Sequence, residues 1–295
     1  MTSIADPDHD GAAEGVRAER GLFGRLMANR LSALGLVLAG AAILVAVLAP
    51  YIATHDPVAL NLADRLQPPD ALHWFGTDEN GRDVFSRIVF GARYSLVAAL
   101  GILVAASAFG TLVGLAAGLT GGWVDEVLMR VTDMFLAFPA LVLAMGMAAA
   151  LGPSLLNAMI AIIVVWWPWY ARLVRGQTLQ LKQEAFVEAA VMSNASRRRI
   201  AFHHILRNCL TPLTVQVSLD IGYAVLTLAG LSFIGLGAQP PTPEWGSMVS
   251  IGRDYFLDQW WMVTFPGLAI FLSVMAFNLL GDGLQEVLSP KSGSR

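Results

Sequence analysis

Charged residues are distributed very unevenly along this chain. Five long stretches carry almost no Asp, Glu, Lys or Arg: 31–54, 94–124, 134–171, 208–237 with only Asp220 inside it, and 259–281. A helix crossing a bilayer needs about 20 mainly apolar residues. The 134–171 stretch is too long for one crossing. Gly152-Pro153 divides it near the middle, and proline disfavours a helix interior, so two helices joined by a tight turn are predicted there. The pattern therefore predicts an all-α polytopic membrane protein with six transmembrane helices. Unbroken apolar runs, as opposed to alternating ones, exclude a β-barrel, and open sheet edges are untenable in lipid. The first run is too long for a signal-peptide core and lacks a convincing cleavage site, so it reads as a retained helix.

Composition narrows the class further. Of 295 residues, 56% are hydrophobic and 14% charged, with mean hydropathy +0.59. A soluble domain carries about 25% charged residues, and one core of this size cannot hide so much apolar surface. The net charge of −3 argues against a nucleic-acid partner. The single Cys209 excludes a disulfide framework and any multi-cysteine metal site.

Lys and Arg predict the orientation. Six spans place the N-terminus, 120–133, 172–207 and the C-terminus on one side, and these carry 14 of the 19 Lys and Arg. Positive-inside bias makes that side cytoplasmic, with both termini on it. Trp166, Trp167, Trp169 and Tyr170, followed by Arg172 and Arg175, fit an interfacial belt at the inner end of the fourth span. The expected organisation is a polar, disordered cytoplasmic tail over 1–22, a first helix with its lead-in over 23–54, and an external loop over 55–92. A five-helix membrane domain over 93–284 follows, then a cytoplasmic tail over 285–295.

Two connections are long enough to carry function. The outer one holds His73 to Asp78, then Gly81-Arg82-Asp83 and Phe85-Ser86-Arg87. Val84, Phe85, Ile88 and Val89 share one helical face, which predicts a short amphipathic helix on the outer surface. Trp74, Arg82, Asp83, Trp245 and Arg253 are the residues expected to form an external docking face across 73–90 and 239–258. The inner one, 172–207, reads as helix, turn, helix. Asn194 suits a left-handed turn position, and Ser196 suits the cap of the second helix. Arg197 to Arg199 oppose that helix's dipole and call for an anion, either inner-leaflet lipid or an acidic protein surface.

Glu188-Ala189-Ala190, a turn four residues later, then Ile200 and Ile205-Leu206, resemble the "EAA" loop of permease subunits of ABC importers. His73 to Arg87, Asp125 to Asp133 with Phe138-Pro139, Arg172 to Gly176, Leu231 to Gly237, Gln239 to Gly246 and Asn278 to Gly283 narrow the likeness. From about residue 30 to 290 the chain is similar to the dipeptide/oligopeptide/nickel permease family, and to its C-type subunit. Three positions depart from that pattern: Asn194 for the usual turn glycine, Arg207 for a proline, and Gln285 for an arginine.

The resemblance implies a type I ABC importer permease fold and a set of partners. These are a sister permease in a heterodimer, two cytoplasmic ATPases that bind ATP and Mg, and an extracytoplasmic substrate-binding protein. It makes 176–207 the ATPase-coupling loop, with Glu188, Ala189, Ala190, Asn194, Ala195, Arg197, Arg198, Ile200 and His204 as the contact residues. The chain's own chemistry agrees. Its two lysines, Lys182 and Lys291, do not follow a glycine, so no phosphate-cradling loop is present. The Gly110–Gly122 stretch reads as close helix packing. His203 and His204 are adjacent and point to different faces, so no metal site and no catalytic residues are expected. Asp133, Asp220 and Asp282 lie in or near spans and count as functional candidates; Arg130 is spaced to pair with Asp133. The expected function is passage of peptides through an ATP-driven importer in the cell inner membrane, with nickel chelates or glutathione as alternative cargo. A stand-alone secondary carrier is the competing class, although only Asp220 resembles the midplane ionisable groups such carriers use.

Overall fold

The structure is a computed structural model and describes residues 22–288. Of the two expected tails, residues 1–21 and 289–295 lie outside the described part, while 285–288 continue the last helix. Among the described residues, besides two 3-10 turns at Leu62–Asp64 and Arg253–Tyr255, ten helices follow one another: α1 Leu22–Ala28, α2 Arg30–Ile52, α3 Val84–Thr120, α4 Gly122–Leu136, α5 Ala140–Leu151, α6 Leu155–Leu181, α7 Ala185–Met192, α8 Arg197–Phe233, α9 Trp245–Gly252 and α10 Trp261–Leu288. Among the described residues no strand forms; an isolated bridge joins Thr77 to Asp83.

Helices α2, α3, α6, α8 and α10 are each long and apolar enough to cross a membrane. The expected third span is instead a bent pair, α4 and α5, which meet at 88°. Pro139 stands at the head of α5 and breaks the helix there. At 12 residues α5 is about 18 Å long, short of the roughly 30 Å hydrocarbon core. The division at Gly152 is where the sequence places it: Gly152 has φ +91° and Ser154 caps α6 by accepting from Asn157 N.

The amphipathic helix expected at 84–89 is not separate. It forms the first turns of the 37-residue α3, because no proline or glycine pair interrupts 84–94. α3 packs most extensively on α6, and the glycine stripe explains why. A Cβ on Gly110 would lie 2.5 Å from the Trp167 carbonyl, and one on Gly114 2.3 Å from the Ala171 carbonyl, so the two backbones touch directly. α10 packs on α8 and α2, and Asn29 Nδ2 donates to Glu286 Oε2 at 2.8 Å, tying the start of α2 to the end of α10. Ala98, Ala99, Ile102, Ala158, Ile162 and Leu228 are buried where α3, α6 and α8 meet.

Candidate functional site

The loop between α6 and α8 is built as a separate small lobe. Val187 of α7 is buried against Val174, Leu115, Ala201, Ile205 and Cys209, so α7 is held to the bundle by its own apolar cluster. Lys182 Nζ donates to the carbonyls of Gly118 and Leu119 at 3.1 and 3.3 Å, which satisfies the free end of α3. Asn194 has φ +56°, and the N–H groups of Asn194 and Ala195 bond the carbonyls of Val191 and Ala190. This is a Schellman closure with asparagine in the left-handed position. Ser196 Oγ accepts from Arg199 N and caps α8. Both turn assignments therefore hold. Residues Ile200–Ile205 form a π-helical turn inside α8, which the sequence did not announce.

Glu188, Ala189, Asn194, Arg197 and Arg198 are exposed; Ala190, Ala195, Ile200 and His204 are half-buried. Phe186, Val191, Met192 and Phe202 also stand exposed around them, Met192 at 88%. Among the described residues Glu188 and the three arginines make no side-chain hydrogen bond or ion pair. His203 and His204 meet edge to face at 5.3 Å on one stretch of helix.

A cavity of about 610 Å³ opens between α5, α6 and α8. Asp220 stands halfway along Leu206–Phe233 and lines it. Its Oδ2 accepts from the Tyr170 hydroxyl at 2.7 Å and its Oδ1 from Gln216 Nε2 at 3.0 Å. Tyr170 is placed by the close approach of α3 and α6, since its Cβ lies against Gly110. Trp166 stacks on Tyr223, ring centres 5.1 Å apart and nearly parallel. Three members of the belt expected at the interface, Trp166, Trp169 and Tyr170, line this cavity, and Trp167 is buried against Phe109 and Phe135. Asp133 pairs with Arg172 at 2.5 Å, not with Arg130, which reaches Glu126 at 3.9 Å. α4 presents Asp133 to α6, a geometry that spacing along one helix could not reveal. Asp282 is exposed, on the side of α10 away from Gly281 and Gly283, which contact α8 and α2.

At the opposite end the 55–83 segment folds into a polar cap over α3 and α10. Three residues expected on a docking face are buried here: Arg82 and Asp83 at 2% exposure and Trp245 at 3%. Arg82 Nε donates to Asp78 Oδ2 at 2.6 Å and Nη2 to Glu79 Oε1 at 2.7 Å. Asp83 caps α3 by accepting from Ser86 N, and its other oxygen accepts from His73 Nδ1 at 2.9 Å. Trp245 Nε1 donates to the Ile88 carbonyl, with its ring against Gly91. These side chains hold the cap together and cannot meet a partner. Trp74 and Arg253 are exposed, with Phe256, Leu257 and Trp260. Burial and the neighbouring Asp78 push the Glu79 carboxyl up, and burial does the same to Glu244, which caps α9. His55, His73 and Asp83 come together although no spacing signalled it; their ligand atoms lie within 4.8 Å of one another. Thr54, His73 and Ser86 already occupy the Asp83 carboxylate and the His55 ring through hydrogen bonds.

With this geometry in hand, comparison with known proteins is specific. Residues 110–293 match the model for "Binding-protein-dependent transport system inner membrane component". Residues 20–69 match "N-terminal TM domain of oligopeptide transport permease C". The chain is 53% identical to the probable D,D-dipeptide transport system permease protein DdpC of Escherichia coli K12, over 86% of this chain and 85% of that one. It is 46% identical to the dipeptide transport system permease protein DppC of Alkalihalophilus pseudofirmus, over 93% and 90%. Identity to the nickel transport system permease protein NikC of Escherichia coli K12 is 43%, over 87% and 93%. A chain of the MetNI methionine ABC transporter in inward-facing form superposes with a TM-score of 0.55 at 18% identity, covering 70% of this chain and 98% of that one, which shows a shared fold. An all-helical polytopic bundle with this fold, matched over most of its length by importer permeases, belongs to the family of binding-protein-dependent transport system inner membrane components, the permease subunits of ABC importers.

Proposed function

We propose that this chain is the non-catalytic C-type permease of a peptide importer and forms half of the translocation pathway with a sister permease. Two ATPases that bind ATP and Mg dock on the α7 lobe, and an extracytoplasmic binding protein delivers cargo at the capped end. Both termini and the α7 lobe face the cytoplasm. The observation that carries the reading is the lobe itself: α7, anchored by Val187, presents Glu188 and exposed apolar side chains outward, and beside it the head of α8 presents three arginines that are unmatched among the described residues. Lipid headgroups would satisfy the arginines alone. The adjoining exposed Phe186, Val191 and Met192 fit a protein groove with acidic walls, because apolar patches beside unmatched charge are the make-up of an interface.

Peptide cargo rests on the dipeptide permeases at 53% and 46% identity; the 43% identical nickel permease supports metal chelates as the second reading. Reconstituting the full complex in liposomes tests both. Uptake of radiolabelled dipeptide should require ATP inside and binding protein outside. Uptake driven by an ion gradient without ATP would make the chain a secondary carrier, and ATP-driven uptake of nickel chelate or glutathione but not dipeptide would change the cargo.

A further inference from the structure

The charges around the cavity do not cancel. Arg172, the one cationic residue lining it, is engaged by Asp133 at 2.5 Å. Among the described residues Asp220 receives only neutral donors, Tyr170 and Gln216. Each of its oxygens accepts one hydrogen bond and retains capacity for another. The cavity thus carries a fixed, unmatched carboxylate halfway along Leu206–Phe233 of α8, in a region where ionisable groups are expensive to keep. Its walls are aromatic: Trp169 is 61% exposed and Tyr223 53% exposed, with Trp166 stacked behind Tyr223. A carboxylate beside several aromatic rings is the chemistry that recognises an ammonium group, through charge and cation–π attraction.

We propose that this cavity binds the α-ammonium group of the peptide in transit, with Asp220 as counter-ion and Trp169 and Tyr223 as aromatic walls. The inference rests on the importer reading and adds the group on the cargo that the pathway itself recognises. Tyr170 and Gln216 are positioning residues that aim the carboxylate. A purely structural Asp220 would tie α6 to α8 and have no preference among ligands.

The test uses the complete complex in nanodiscs without binding protein, titrated with Ala-Ala and with N-acetyl-Ala-Ala while tryptophan fluorescence is followed. Wild type should show a saturable change with Ala-Ala and at least tenfold weaker binding of the acetylated peptide. Asp220→Asn keeps an oxygen for Tyr170 but removes the charge, and should bring Ala-Ala down to the acetylated level. Asp220→Glu should restore part of the preference, and Trp169→Phe should remove most of the signal. Equal binding of the two peptides by wild type, no saturable change, or a tenfold preference surviving in Asp220→Asn would overturn the proposal. ATP-driven dipeptide uptake by the wild-type complex is read separately, so loss of the ammonium site and loss of the importer reading are distinguishable.

Discussion

Arg175 of α6 grips Asp125 of α4 through two bonds, Nε to Oδ1 at 2.5 Å and Nη2 to Oδ2 at 2.7 Å. This fork fixes the head of the bent α4–α5 pair to the stretch of α6 that leads into the α7 lobe. Planar two-point pairing is a property of arginine that lysine cannot copy. Bonds to charged groups are worth about 1.5–3 kcal/mol; with Arg175 33% exposed, screening reduces that to about 1 kcal/mol. Asp125→Asn and Arg175→Lys should each lower the melting temperature of the purified complex by a few degrees. The swap Asp125→Arg with Arg175→Asp should recover part of it, and a swap no better than the single changes would show the pair to be incidental.

The α7 lobe is expected to couple nucleotide hydrolysis to passage. Ala190 is half-buried, and overpacking a close contact typically costs about 1–3 kcal/mol. Glu188→Lys and Ala190→Trp should abolish cargo-stimulated ATPase activity of the reconstituted complex while membrane insertion and pairing with the sister permease persist. Single alanine changes at Arg197 or Arg198 should have little effect, because an exposed ion pair contributes about 0–1 kcal/mol. Normal stimulation in the Ala190→Trp complex would remove the lobe from the coupling path.

Orientation is accessible through single cysteines in a Cys209→Ala background. Leu257→Cys, at a site 95% exposed, should react with an impermeant maleimide in intact cells. Ser193→Cys, exposed in the α7–α8 turn, should react only after permeabilisation. The reverse pattern would invert the topology.

The polar cap separates folding from docking. Arg82→Glu would place a third carboxylate against Asp78 and Glu79, and breaking a buried pair costs about 3–5 kcal/mol, so the protein should fail to accumulate. Arg253→Glu leaves that network intact and should weaken pull-down of the binding protein, most at low salt. Full accumulation of the Arg82→Glu chain would contradict the buried network, and an Arg253→Glu chain with unchanged pull-down at low salt would take Arg253 out of the docking face.

The raised Glu79 carboxyl gives a pH dependence with a defined sign. A folded value above the unfolded one favours the protonated form, so the cap is most stable below the ordinary glutamate range and loses stability as pH rises through the raised value. Hydrogen exchange of the amides at 76–84, corrected for intrinsic rates, should show protection falling over that window in wild type and staying flatter in Glu79→Gln.

Several features were legible residue by residue. Asn194 and Ser196 act locally, through their own backbone preferences and side-chain oxygens, and both do in the fold what their chemistry dictates. Gly110 and Gly114 foretold a close helix contact, though not that α6 is the partner. The external docking face was misread at Arg82, Asp83 and Trp245 because charged and amphipathic side chains on a loop look alike whether they face solvent or one another. Asp78, Glu79 and His73, gathered by the cap's folding, decide that Arg82 and Asp83 are buried, and the Ile88 carbonyl and Gly91 of α3 decide it for Trp245.

Hydropathy along the chain by itself determined the helical membrane class and the five uninterrupted spans, and Asn194 and Ser196 determined the turn of the helix–turn–helix lobe, because each depends on local periodicity or on one residue's conformational preference. Tertiary structure alone decided the 88° bend that turns the third span into α4 and α5, the pairing of Asp133 with Arg172, the gathering of Asp220, Tyr170 and Trp169 around one cavity, and the burial of the polar cap. Those depend on which helices meet and at what distance. Side chains 39 or 50 residues apart become neighbours only after backbone contact between α3 and α6 sets the geometry of the bundle.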